Sequence, residues 1–280
     1  SASHSESLIP FTDLTSTERN VRVTDNRTFN LDSWIFGGWH MLVGAVNTDI
    51  KTSQPFLAQP GASTLAGNVG LSYVATSGSS ITATTRSTRG TNNVGQGIDL
   101  VNSIGKEFRI QEAELMTTWK LSGRSTLNGR LTNYIHHTAN LPQRDFSGTN
   151  GELGFVWAGH GGQQVSLSAN RSILPWTADT QASYKVDDKL SLTQSLPIGN
   201  RLTLSMSAYR LVSDFLGPLA PLTGPPRRDT LRSARLALDW SPPVRNLHFT
   251  SSVQRDRRSS TAAGFDFEDT IAMLSASLSF

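Results

Sequence analysis

The chain has 280 residues, 37% of them hydrophobic, a mean hydropathy of −0.27, and a net charge of +3 from 25 basic and 22 acidic residues. That apolar content is too low for a bundle of membrane helices, and the dispersed charge is no nucleic-acid footprint. The absence of cysteine removes disulfide frameworks and thiolate metal sites, while abundant Gly, Ser and Thr favour strands and turns.

Residues 1–18, with Pro10 and several Ser and Thr, read as a loop or linker without a basic-then-apolar leader. Residues 19–280 read as the strands of one domain that covers 1–280. The longest apolar stretch, Trp34 to Val46, is broken by Gly37, Gly38 and His40 and is too short to cross a bilayer as a helix. Farther on, the apolar residues recur with period 2, as in half-buried strands. Leu115, Trp119 and Leu121 fall on one side, with Glu112, Glu114, Thr118 and Lys120 on the other. Leu127, Leu131 and Ile135 then oppose Asn128, Arg130, Thr132 and Tyr134. Leu202, Leu204 and Met206 oppose Arg201, Thr203, Ser205, Ser207 and Tyr209, while Leu236, Leu238 and Trp240 oppose Arg235 and Asp239. Leu247, Phe249 and Val253 oppose His248, Thr250, Ser252 and Gln254. Closing the chain, Ala272, Leu274, Ala276, Leu278 and Phe280 share one face, with Ser275, Ser277 and Ser279 on the other.

A soluble sandwich alternates too, but the connections here are sorted by length. Short turns near 36–38, 77–79, 122–124, 159–161, 198–200 and 242–244 alternate with longer loops near 52–64, 92–107, 140–145, 174–179, 214–228 and 258–265. Outer-membrane barrels show this asymmetry, with the short turns on the periplasmic side. Four of the six tryptophans, Trp39, Trp119, Trp157 and Trp240, sit beside short turns, where an aromatic girdle meets the lipid headgroups. Phe280 joins that row.

The expectation is an all-β, antiparallel, up-and-down transmembrane barrel in a bacterial outer membrane, with about 12–14 strands in this chain. Roughly thirteen segments of 9–11 residues are recognisable, the first near Asn20. Barrels of this kind have even strand numbers with both ends in the periplasm. The odd count therefore implies either upstream strands of a larger barrel or a count short by one. The expected lumen-facing set is Glu112, Glu114, Lys120, Arg130, Tyr134, Arg201, Tyr209, Arg235 and Asp239, with Glu114 a diagonal step from Arg130.

No nucleophile elbow, phosphate loop, dinucleotide fingerprint or His-Glu-x-x-His motif is present. No cofactor or metal is expected. His136 and His137 are neighbours on a strand and point to opposite faces. Gly159-His160-Gly161-Gly162 fits a tight turn better than an oxyanion loop. Glu112 and Glu114 share a face as lumen charges rather than as an acid/base pair.

The end Leu-Ser-Ala-Ser-Leu-Ser-Phe resembles the C-terminal signal read by the barrel-assembly machinery. Arg144-Asp145-Phe146-Ser147-Gly148, the run from Arg228 to Ala234 leading to Asp239-Trp240, Phe36-Gly37-Gly38-Trp39, and Gln254-Arg255-Asp256-Arg257-Arg258-Ser259 occur in order. Together they resemble the EpsL-type outer-membrane barrels encoded with exopolysaccharide biosynthesis systems, a branch of a β-barrel porin family, over about residues 16 to 280. Leu196 departs from that pattern, which has a tryptophan before the turn. The resemblance implies a passive, non-catalytic conduit for an extracellular polysaccharide, a longer N-terminal part, and periplasmic polysaccharide-export proteins as candidate partners alongside outer-membrane lipid. Two competing readings are an autotransporter-type translocator and an outer-membrane hydrolase with Ser and His on its wall. Residues 1–18 do not read as the helix that threads a translocator.

Overall fold

The structure, a computed structural model, describes residues 1–8, 21–53, 61–93, 105–139, 141–176, 182–217, 226–243 and 247–278. The alternating segments are strands: β1 (Ala2–Leu8), β2 (Val21–Phe36), β3 (Trp39–Thr52), β4 (Gly61–Val74), β5 (Ser80–Asn93), β6 (Glu107–Ser122) and β7 (Ser125–Thr138). They continue with β8 (Phe146–Ala158), β9 (Gln164–Pro175), β10 (Tyr184–Ile198), β11 (Leu202–Leu216), β12 (Arg228–Trp240), β13 (Leu247–Ser260) and β14 (Phe267–Leu278). All fourteen form one antiparallel sheet in sequence order, an up-and-down meander.

Register turns the sequence alternation into two faces. Met41, Leu71, Ala83, Leu115 and Leu131 stand opposite one another across β3 to β7. Met206, Leu236, Val253 and Ala272 do the same across β11 to β14. These residues do not form a protein core: Leu131 is 55% exposed and Leu115 46%. So wide an apolar surface needs a lipid solvent. The opposite face carries most of the polar residues, although Leu42, Val46 and Met116 also belong to it by register.

Short turns close β2–β3, β4–β5, β6–β7, β8–β9 and β10–β11, and longer connections join the opposite ends of the strands; the turn expected near 242–244, between β12 and β13, lies partly outside the described residues. Gly37 and Gly199 have φ of +54° and +64°, a left-handed conformation that a side chain would strain. His160–Gly162 is a single 3-10 turn, with Gly161 at φ +66°.

Two expectations are corrected. Residues 2–8 are a strand rather than part of a loop, paired from Ala2↔Arg27 to Leu8↔Val21; this raises the count to an even number. Apart from β1, which has 7 residues, the strands are also longer than 9–11 residues, running from 12 in β9 and β14 to 16 in β2 and β6. A strand of about 14 residues is roughly 46 Å long and, tilted by about 40°, stands roughly 35 Å tall against an apolar band of about 25 Å. The excess lies at the loop ends. β1 pairs only with β2 and β14 only with β13 among the described residues, so the two edges of the sheet are not joined there.

Candidate functional site

The polar face is the candidate site. Cross-strand pairing places Glu112 opposite Tyr134, Glu114 opposite Thr132, Lys120 opposite Thr126 and Arg130 opposite Glu152. The same face continues through Asn170 and Lys189 to Tyr209, and then to Arg235 and Asp239 of β12. Arg201 lies one residue before β11, in the turn, where its carbonyl accepts from the Ser241 amide at 2.8 Å. Eight residues of the expected set thus share one face, and Arg201 marks its short-turn rim.

Arg130 is the centre of a charged row. Its Nη2 donates to Glu152 Oε2 at 3.0 Å, and its Nη1 stands 3.9 Å from Glu114 Oε2. Glu114 also accepts from Thr132 Oγ1 at 3.3 Å. One register step away, Arg86 approaches Glu112 at 3.9 Å. Arg130 and Glu152 are about half exposed, so each pair contributes only about 0–1 kcal/mol to stability. Their effect is on the local field: charges of both signs alternate across neighbouring strands and nearly cancel. Nearby, Lys189 Nζ lies 4.7 Å from the Tyr209 ring, and Arg235 donates to Ser252 Oγ at 3.3 Å.

Toward the loop end of the sheet, rings stack from strand to strand. Phe108, His136, Phe146 and Tyr184 follow one another with centroid separations of 5.7, 4.9 and 4.8 Å, and Tyr134 lies 5.7 Å from Phe146. Tyr134, Phe146, Ile173 and Val186 are the buried apolar cluster of the molecule. The loop before β8 is tied down by Asp145, which accepts from the Thr138 amide at 2.7 Å and pairs with His137 Nδ1 at 2.5 Å. His136 and His137 therefore diverge, one into the stack and one to the other face. A second tie holds the loops around β12: Arg227 pairs with Asp229 at 2.6 Å and lies 4.4 Å from the Phe215 ring and 3.6 Å from the Phe265 ring. The sequence reading missed Glu152, the ring stack and Arg227.

Trp39, Trp119, Trp157 and Trp240 lie on the apolar face, opposite Tyr73, Leu127, Val165 and Leu202, each within a few residues of a short turn. Trp39 contacts Tyr73 at 5.2 Å and Trp240 stacks on Phe249 at 5.4 Å. Phe280 lies outside the described residues. A Ser–His–carboxylate grouping occurs at Ser241, His248 and Asp239, but the imidazole–carboxylate distance of 3.6 Å is no hydrogen bond. Asp239 instead accepts from Thr250 Oγ1 at 2.8 Å.

No family model matches the chain, and no curated protein matches it. Solved structures do. The alcaligin outer membrane receptor FauA from Bordetella pertussis superposes with a TM-score of 0.51 at 11% identity, over 98% of this chain and 52% of that one. The siderophore receptor PirA from Pseudomonas aeruginosa gives 0.50 at 12% identity, over 93% and 57%. FpvA of P. aeruginosa, bound to heterologous pyoverdines, gives 0.53 at 10% identity, over 87% and 41%. The chain spans about half the length of these structures. The likeness is one of fold, and the fold is that of the β-barrels of the bacterial outer membrane, the setting that the exposed apolar face requires.

Proposed function

From this premise, an outer-membrane barrel sheet with a lipid-facing side, we propose that the chain lines a passive, non-catalytic conduit for an extracellular polysaccharide. The observation that carries the reading is the Glu114–Arg130–Glu152 row, with Arg130 and Glu152 about half exposed, on the face opposite Leu115 and Leu131. A hydrated sugar chain offers hydroxyl donors and acceptors at every unit. Guanidinium and carboxylate groups meet both, and their near-cancelling charge holds no single ion type tightly. The partly exposed Tyr209 adds a ring of the kind that packs on sugar faces. The motif resemblance to EpsL-type barrels supports the same reading. The partners it implies are outer-membrane lipid, the barrel-assembly machinery and periplasmic polysaccharide-export proteins.

The test is genetic. Deleting the gene is expected to abolish surface polysaccharide. Returning the Arg130→Glu or Arg235→Glu variant is expected to alter the amount released while the barrel still assembles. Undiminished polysaccharide after deletion defeats the proposal.

A further inference from the structure

On its loop side the apolar face ends in arginine. We propose that Arg210, Arg232 and Arg257 form a docking surface for a phosphate-bearing lipid headgroup in the leaflet on that side, an inference that rests on the membrane reading but not on the transported sugar. Arg210 of β11 stands directly opposite Arg232 of β12, and Arg232 opposite Arg257 of β13. All three side chains are exposed. Strands lie about 4.8 Å apart, so three guanidinium groups fall within about 10 Å. Like charges placed directly opposite one another repel, and the fold does little to relieve this. Among the described residues neither Arg210 nor Arg232 has an ion pair or hydrogen bond. Glu268, opposite Arg257, takes its hydrogen bond from Arg255, a fourth arginine on the same face.

The depth of the cluster identifies the occupant. Arg232 and Trp240 share a face and are 8 residues apart on β12, about 26 Å along the strand and about 20 Å in height at a tilt near 40°. With its stem extended, Arg232 reaches the far boundary of the apolar band, where arginine is tolerated and headgroups lie. The arrangement recurs on β5 and β6, where the exposed Arg89 and Arg109 are also directly opposite. On the short-turn half of the apolar face the described strands carry no charged side chain. Basic charge is therefore confined to one leaflet. Guanidinium forks bind phosphate oxygens in pairs, which a water-exposed chloride cannot match.

The experiment is native mass spectrometry of the full chain folded in non-ionic detergent, titrated with phosphatidylglycerol and, separately, phosphatidylcholine. Phosphatidylglycerol is expected to be retained about tenfold more tightly. The Arg210→Gln/Arg232→Gln/Arg257→Gln variant is expected to lose that preference, and Lys51→Gln, at a distant paired position on the same face, to keep it. Heat-modifiable gel mobility reports folding. If the triple variant fails to fold, Arg232→Gln alone is read, with about a threefold loss expected. Equal retention of the two lipids, or an unchanged preference in the folded arginine variants, overturns the proposal. So does complete displacement of the lipid by an equal concentration of inorganic phosphate, which would mark a site for free anions.

Discussion

Arg130 and Leu131 are consecutive residues of β7 that meet opposite surroundings, the first between Glu114 and Glu152 and the second opposite Leu115. Reversing the charge of the first should leave the fold intact, because the two exposed ion pairs contribute only about 0–1 kcal/mol each. Arg130→Glu is expected to insert normally and, in planar bilayers, to shift ion selectivity toward cations. Leu131→Arg should behave differently. An arginine on the lipid side near mid-depth costs about 2–4 kcal/mol, to be read from urea unfolding of the protein folded into vesicles. A cost near zero would show that Leu131 does not meet lipid. Period-2 alternation revealed both faces here, and the diagonal step from Glu114 to Arg130 with them. It did not reveal Glu152, because β8 (FSGTNGELGFVWA) has glycine at three of its positions, leaving too few side chains for a pattern to show.

The same limit operates over whole strands. The long-loop bounds near 92–107 and 214–228 were legible and match the strand ends, but strand length was underestimated, because outward residues near the loop ends, such as Arg89, Arg109, Arg210 and Arg232, are charged and interrupt the apolar alternation. β1, ASHSESL, imitates a linker for the same reason: past the lipid boundary, alternation no longer needs to separate apolar from polar. The ring stack was equally hidden, since it draws on β6, β7, β8 and β10 and exists only once their register is set. Gly90 of β5 explains how it is accommodated. A Cβ there would run into the Phe108 ring, so the glycine lets that ring lie flat against the strand. Gly90→Ala should displace Phe108, loosen the contact with His136 and cost about 1–3 kcal/mol through overpacking. Denaturant titration followed in the near ultraviolet checks this, and an unchanged midpoint with an unchanged aromatic signal would refute it.

At the scale of the molecule, the tryptophans give a ruler for depth. In vesicles of brominated lipids, single-tryptophan variants keeping Trp39, Trp119, Trp157 or Trp240 should be quenched most strongly by lipids brominated near the headgroup, and all four alike. Depths scattered across the bilayer would contradict a girdle. The edges of the sheet bear on its assembly. In hydrocarbon each unpaired backbone group costs several kcal/mol, so in the membrane neither β1 nor β14 can remain as these described residues leave them.

Because the strands follow one another in order without a crossover, each contributes a fixed amount of perimeter. With strands about 4.8 Å apart and tilted by about 40°, each occupies about 6.3 Å of circumference. Fourteen strands then make about 88 Å, a ring about 28 Å across if they close on one another. One layer of side chains is about 5 Å deep, half the distance between packed sheets, which leaves a bore of about 18 Å. Every additional strand, from whatever source, widens the ring by about 2 Å. The size of the largest neutral polymer that still enters and lowers the channel current is therefore a count of strands, obtained without seeing any of them.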